Sequence, residues 1–242
     1  MIRRPPRSTL SSSSAASDVY KRQALPNEGW PNWVLGNHDK SRIATRVGKE
    51  QAKIAAMMLL TLRGTPTIYY GDELGMEDVK IPQEKIQDPQ ALNEPGVGKS
   101  RDPERTPMQW DDTENANFTT GQPWLPLMKN HTEINVKNQW DDPGSMLHFH
   151  RRLIKLRNKE PALHVGDHIP VYTENNLLSY IRSYQNRKFL VVLNLSGSNE
   201  DFKPGMDWKG KVRIATHPEM EGQELKGELR VRGNTGLVIE LD

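Results

Sequence analysis

The sequence predicts an α/β unit followed by an all-β domain, and two observations lead to this fold class. First, the short apolar run at 33–36, the helix-period segment at 49–63 and the β-branched and aromatic run at 67–70 follow one another closely. Strand, helix and strand over so short a span predict one βαβ unit with parallel strands. Second, the helical period disappears after residue 165, where turn signals separate short strand candidates at 177–181, 189–195, 212–215, 229–231 and 237–241. This second pattern predicts a small antiparallel β-sandwich.

Residues 1–23 differ in composition from the rest of the chain. They combine basic residues, prolines and a serine run, with no period of two or of 3.6 residues. We interpret them as a non-native or disordered arm that takes no part in the fold. The predicted organisation is therefore an arm at 1–23, an α/β unit at 24–165 and a β-sandwich at 166–242.

Composition narrows the function classes. The 242 residues carry 33 basic and 31 acidic side chains, a net charge of only +2, which argues against a nucleic-acid partner. Cysteine is absent, which excludes disulfides and thiolate metal sites. No apolar run approaches the length of a transmembrane helix, and the basic N-terminus lacks the apolar stretch of a signal peptide. We therefore expect no membrane partner.

A long irregular segment separates the second strand from the last helix of the α/β unit. It spans about 77–141 and is rich in Pro, Gly, Asn and Asp. Loops of this length inside compact domains are usually functional. The next helix is predicted to begin at Asp142-Pro143, as N-cap and first-turn proline, to run to about Lys159 and to end at Pro161.

Polar residues follow both predicted strands at their carboxyl ends. Asn37–Asp39 come directly after the first strand, and the carboxylate pair Asp72 and Glu73 follows the second. Enzymes built from βα units place their reactive groups at these ends. A neighbouring His and Asp are weak evidence alone, because polar residues at loop tips are often only solvated.

Four stretches together resemble the α-glucosidase and oligo-1,6-glucosidase branch of the α-amylase clan, glycoside hydrolase family 13. Asn37–Asp39 behind its apolar strand is similar to the fourth conserved region of that clan. Arg101–Asp111, reading RDPERTPMQWD, resembles the loop motif of the branch and is the most specific match. Gly64–Met76 looks like the last barrel strand and its exit, and Leu153–Arg157 followed by Pro161–Leu163 resembles the final barrel helix.

The resemblance implies the last two βα units of a (β/α)8 TIM barrel, followed by a C-terminal antiparallel β-sandwich domain. A whole barrel needs about 250 residues, so the preceding units are expected outside this chain. Retaining hydrolysis needs a nucleophile and an acid about 5 Å apart, and in the family both lie upstream of the Asn-His-Asp segment. We therefore expect a fragment of a retaining α-glucosidase acting on short α-glucosidic oligosaccharides, inactive when isolated.

The resemblance also assigns three site residues. Asp39 matches the carboxylate that stabilises the transition state, His38 the histidine that binds the same sugar hydroxyls, and Arg105 the arginine that fixes the terminal glucose. Asp72 and Glu73 are expected to be structural. No cofactor and no metal are implied, and the resemblance favours the bacterial cytoplasm.

Two alternatives remain open, and a third is disfavoured. An isomerase or transglycosidase of the same clan, forming trehalose or sucrose isomers, would use the same residues. The ectodomain of an amino-acid-transporter heavy chain shares the fold without hydrolysing sugars. A stand-alone carbohydrate-binding module would leave 24–165 unexplained. The tryptophans at 110, 124 and 140 could stack on sugars, but we expect them to pack beneath the long loop.

Overall fold

The computed structural model describes residues 29–94, 100–171, 173 and 175–242. The arm predicted at 1–23 lies outside these residues. The described chain forms two compact units, one made of Trp33–Leu59 with Pro66–Arg152, the other containing Leu60–Thr65 and Leu153–Asp242. Residues 153–165 thus group with the β-domain, and the boundary between 165 and 166 stays a prediction.

The predicted strand, helix and strand are present in that order. Strand β1 covers Asn32–Val34, helix α1 Ile43–Val47, helix α2 Lys49–Thr61 and strand β2 Thr65–Thr67. Strands β1 and β2 pair in a two-stranded sheet. The second strand ends earlier than predicted, because the two tyrosines that follow it point their hydroxyl groups at a distant loop segment.

The long segment after β2 is irregular, as predicted, but it contains short helical pieces and a core of its own. Helix α3 covers Pro89–Asn93 and helix α4 Val136–Trp140, with 3₁₀ turns at Asp72–Leu74 and Gln83–Lys85. A methionine-rich cluster lies beneath it. Its buried members are Leu74, Met76, Met108 and Met128, with Val79, Ile134, Val136 and Leu147 packed around them. The loop is therefore a packed structure.

Within this segment, residues 111–133 form a loop whose two ends lie next to each other. The amide of Val136 donates to the carbonyl of Gln109, and that of Lys137 to Trp110, both at 3.0 Å. The Gln109 side-chain amide also donates to the carbonyl of Ile134. These bonds close the base of what we call the 111–133 loop.

The last helix of the α/β region begins three residues later than predicted. Helix α5 covers Met146–Lys159, and the short helix α6 covers Pro161–His164. Ser145 caps α5, because its hydroxyl accepts the amide of His148 at 3.2 Å, while Asp142 closes a turn just before it. Within the described ranges, no helix combines the length and apolarity needed to cross a bilayer.

His150 on α5 gives the fold a pH dependence. It is buried, its Nδ1 bonds the carbonyl of Met146, and burial lowers its pKa to about 4. The folded state therefore keeps the ring neutral, while the unfolded chain protonates near pH 6.5. We expect this group to stabilise the fold fully above that pH and to lose about 2 kcal/mol of that contribution by pH 5.

Urea unfolding followed between pH 7.5 and pH 5 would measure this loss. The His150→Leu variant should show a correspondingly flatter dependence of unfolding free energy on pH. An unchanged slope in that variant would contradict the assignment.

The second unit carries the predicted antiparallel β-domain. Its strands are β3 Asp167–Val171, β4 Leu177–Tyr184, β5 Arg187–Asn194, β6 Glu200–Phe202, β7 Lys209–Ala215, β8 Glu224–Lys226, β9 Leu229–Val231 and β10 Gly236–Leu241. Six of them form one sheet in the order β3-β4-β5-β10-β7-β8, and β6 pairs with β9. Phe202 and Val231 from the small sheet share a buried core with Leu190, Val192 and Ile239 from the large one. The two sheets thus enclose one core, as in a sandwich.

Two buried arginines organise the same unit. Arg182 on β4 is fully buried and its guanidinium donates to five main-chain oxygens. These acceptors are the carbonyls of Thr61, Leu163, His164, Gly166 and Asp167. Arg157 on α5 does the same for Leu60, Leu62, Gly64 and Leu163. The carbonyls left unpaired where α2 and α6 end are satisfied in this way.

Candidate active site

The turn after β1 presents two of the predicted site residues to solvent. The amide of Asp39 donates to the side-chain oxygen of Asn37 at 2.9 Å, and the amide of Lys40 to the Asn37 carbonyl at 3.2 Å. An Asn side chain that bonds an amide two residues on stabilises a tight turn. His38 and Asp39 therefore stand outward, with side chains 67% and 50% exposed.

The structure brings all three predicted site residues together around the Asp39 carboxylate. Arg105 Nη2 lies 3.1 Å from Asp39 Oδ1, and His38 Nε2 lies 3.3 Å from Asp39 Oδ2. Arg105 also donates from Nε to the carbonyl of His38 at 2.9 Å. One guanidinium thus grips both the main chain and the side chain of the Asn37–Asp39 turn.

A fourth residue, Arg101, belongs to the same group and was missed by the sequence reasoning. Its Nη1 lies 3.5 Å from Asp39 Oδ1. The buried carboxylate of Asp88 accepts three bonds from Arg101, from the amide, from Nε and from Nη2 at 2.6–3.0 Å. Hydrogen bonds from Arg101 hold the pKa of Asp88 well below its usual range. The signal available in the sequence was the position of Arg101, four residues before Arg105 in one motif.

Asp102 also helps to fix the backbone around Arg101. Its Oδ2 accepts the amides of Gln87 and Asp88 at 2.7 and 3.0 Å, while Asp88 accepts the amide of Arg101. The two carboxylates therefore cross-link the chain before α3 to the chain that enters the RDPERTPMQW motif. This reciprocal bonding fixes the backbone from which both arginines project.

Two tyrosines fix the residues on either side of Arg105. The hydroxyl of Tyr69 donates to the carbonyl of Glu104 at 3.1 Å, and that of Tyr70 to the carbonyl of Thr106 at 2.7 Å. Arg42, itself buried, lies 4.7 Å from the centre of the Tyr70 ring and donates to the Tyr70 carbonyl at 2.6 Å. The two tyrosines that follow β2 thus hold the main chain on both sides of Arg105 in place.

The carboxylate pair at 72–73 is turned inward. Burial raises the pKa of Asp72 to about 6 and also raises the pKa of Glu73. Glu73 accepts the amide of Gly71 at 2.7 Å. Gly71 has φ +86°, and a Cβ there would stand 2.6 Å from Met76 Sδ, so only glycine fits this turn. These contacts favour the structural role expected for Asp72 and Glu73.

Asp39 and Arg101 open onto a cleft of about 600 Å³. Its lining is Asp39, Lys40, Ser41, Asp78, Gln90, Ser100, Arg101, Pro103 and Glu104. A cleft of this size suits a small molecule, and its carboxylates, hydroxyls and guanidinium offer both donors and acceptors to a polyol. In the part of the chain that the structure describes, no three His, Asp or Glu side chains are arranged to hold a metal ion.

Comparison with known proteins decides the family. Residues 12–166 match the family profile of the α-amylase catalytic domain. The chain belongs to the α-amylase family. The predicted resemblance to this family is thereby confirmed. The predicted fold class, the end of a TIM barrel followed by an antiparallel β-domain, is confirmed as well.

Similarity to individual proteins extends this result. The chain is 35% identical over 239 residues to an oligo-1,6-glucosidase from Parageobacillus thermoglucosidasius, covering 87% of the chain and 42% of the relative. It is 32% identical over 226 residues to an amino acid transporter heavy chain of Rattus norvegicus, covering 89% of the chain and 32% of that protein. A solved mutant of the trehalulose synthase MutB superposes with a TM-score of 0.86 at 31% identity, covering 98% of the chain and 47% of that structure. The chain thus spans less than half the length of these relatives.

Proposed function

We propose that this chain is part of a retaining α-glucosidase that hydrolyses short α-glucosidic oligosaccharides. The observation that carries the proposal is the Asp39 carboxylate, half exposed at a cleft and surrounded by Arg105, Arg101 and His38. The likeness to an oligo-1,6-glucosidase supports the substrate class. The bacterial cytoplasm stays the predicted compartment.

Asp39 acts on the transition state in this proposal. Glycoside cleavage develops positive charge on the sugar ring, and a fixed carboxylate accelerates it only by interacting more strongly with that charge than with the neutral substrate. The two arginines hold the Asp39 carboxylate in position. His38, beside it on the same turn, donates to or accepts from the ring hydroxyls.

Arg105 recognises the terminal sugar. Its Nε and Nη2 are engaged by His38 and Asp39, whereas its Nη1 has no partner among the described residues. A planar guanidinium fixed on two sides presents the remaining N–H groups in a defined direction. The nucleophile and the general acid come from the upstream part of the longer enzyme, in keeping with the share of the relatives that the chain covers, and the isolated chain is inactive.

The second candidate is an isomerase or transglycosidase, and the likeness to a trehalulose synthase favours it. A covalent glucosyl intermediate can be captured by water or by a second sugar, so both activities use the same residues. The third candidate, a transporter heavy chain, is supported by the relative from Rattus norvegicus and requires no catalysis.

A chimera separates these candidates. The upstream part of the Parageobacillus oligo-1,6-glucosidase would be joined to residues 30–242 of this chain and tested on isomaltose, maltose and sucrose. Release of glucose from isomaltose or maltose is expected. Rearranged disaccharides from sucrose would favour the second candidate, and a folded chimera without turnover would contradict an enzymatic role. The 242-residue chain alone serves as the blank.

In that chimera, Arg105→Lys is expected to raise KM about tenfold or more. A lysine ammonium lacks the planar guanidinium that binds the Asn37–Asp39 turn and a sugar hydroxyl at the same time. Steady-state kinetics on isomaltose would measure it. Arg230→Lys, at an exposed arginine paired with Asp201, is the matched control and should leave KM unchanged. A KM that also stays unchanged in Arg105→Lys would remove Arg105 from the binding site.

A further inference from the structure

A second cleft lies on the unit that carries Asp39 and shares no lining residue with the Asp39 cleft. Its volume is about 680 Å³, well within the range of small-molecule sites. The residues that line it are Glu84, Lys85, Gln87, Glu114, Asn115, Thr120, Gly121, Gln122, Pro123, Trp124 and Pro126. Most come from the 111–133 loop and the rest from the turn before α3.

Trp124 distinguishes this cleft from ordinary surface. The tryptophans expected to pack beneath the long loop are in fact exposed, and Trp124 is the most exposed of them at 59%. Trp140 and Trp30 are also exposed, but guanidinium groups stand over their rings at 4.2 Å and 4.8 Å. Within the described ranges, neither a ring nor a cation covers Trp124. Its indole face therefore remains available for stacking.

Rigid walls hold Trp124 in place. Pro123 and Pro126 restrict the backbone around it, and the side chain of Leu125 between them is buried. The side-chain amide of Asn115 donates to the carbonyl of Gly121 at 3.2 Å, and this bond joins two parts of the cleft wall. Since the loop is also closed at its base, the indole is presented on a fixed platform.

The polar lining matches a neutral polyol. Gln87, Asn115 and Gln122 carry amide groups that can both donate and accept, and Glu84 and Glu114 add strong acceptors. Sugar hydroxyls need both kinds of partner. One lysine against two carboxylates disfavours a phosphorylated or carboxylated ligand.

We propose that this cleft is a second carbohydrate site, in which a hexose ring of a neutral α-linked oligosaccharide stacks on Trp124. It lies outside the Asp39 cleft and performs no catalysis. The segment 84–90 runs between the two, because Gln87 lines the second cleft, Asp88 holds Arg101, and Gln90 lines the Asp39 cleft. A longer oligosaccharide is thereby held on the same unit as the Asp39 turn.

The test uses the 242-residue chain with isomaltotriose and maltotriose as probes, followed by saturation-transfer NMR and titration calorimetry. Saturable binding is expected, and Trp124→Ala should weaken it about tenfold or more, with Trp124→Phe intermediate. Trp140→Ala is the matched control, because Trp140 is similarly exposed at 53% and lies outside the cleft. It should bind like the parent.

An Arg105→Lys variant distinguishes the two sites, because Arg105 binds the terminal sugar in the proposed function. Binding that is unchanged in Arg105→Lys and lost in Trp124→Ala supports the proposal. Binding that is weakened in Arg105→Lys and unchanged in Trp124→Ala overturns it, while leaving the proposed function in place. Absence of saturable binding to either trisaccharide also overturns it, and does not bear on the activity of the chimera.

Discussion

Asp39→Asn in the chimeric enzyme is expected to lower kcat by about 10²–10³-fold, since removing one preorganised transition-state interaction has costs of this size. The amide preserves the shape of the carboxylate but removes the charge that responds to the developing cation. Arg105 loses its anionic partner at the same time, whereas Arg101 keeps Asp88. KM should change much less than kcat, because the interaction acts mainly on the transition state.

Asp112→Asn supplies a closely matched control for this experiment. Asp112 is 47% exposed against 50% for Asp39, and it pairs with a cation, Lys137 at 2.8 Å, as Asp39 does with Arg105 at 3.1 Å. Its substitution should leave kcat within error of the parent. Equal rates for the parent and Asp39→Asn, with both folded by circular dichroism, would show that Asp39 is misassigned.

Arg182→Met is expected to destabilise the second unit by about 3 kcal/mol or more, because each buried carbonyl left without a donor costs about 1–3 kcal/mol. Methionine fills similar space without restoring any donor. The carbonyls of Thr61 and Gly166 would lose the donor that Arg182 supplies, while Leu163 would keep its bond from Arg157. Urea unfolding of the full chain measures the effect as a shift in midpoint at constant slope.

The comparison for Arg182 is Arg230→Met on β9. Arg230 is exposed and pairs with Asp201 at 3.0 Å, a surface ion pair worth at most about 1 kcal/mol. Similar midpoints for the two variants would mean that the carbonyl cluster around Arg182 has little influence on stability.

The sequence predicted the elements whose signal is local. Helix α2 and the strands β4, β5 and β10 carry long apolar or periodic runs, so burial and propensity agree. Strands β3, β6 and β8 were missed. These strands are short, polar or interrupted by Pro170. They form because each one can hydrogen-bond to a neighbouring strand.

Distant contacts account for most of the remaining differences. Tyr69 and Tyr70 were assigned to a strand on propensity, yet their hydroxyl groups bind main-chain carbonyls about 36 residues further along. The link from Asp88 through Arg101 to Asp39 depends on how the long loop folds back. Periodicity cannot report such pairings. Asp39, His38 and Arg105 could be predicted as site residues because the motifs that contain them are contiguous.

The closed base of the 111–133 loop makes this stretch a natural unit for exchange. Its two ends are joined by main-chain bonds at Gln109 and Trp110, next to but apart from the tyrosine contacts that fix Arg105. Insertions, deletions or a graft from a relative can therefore be absorbed without moving the arginine. Surface properties of the chain can diversify here while the contacts that fix Arg105 stay the same.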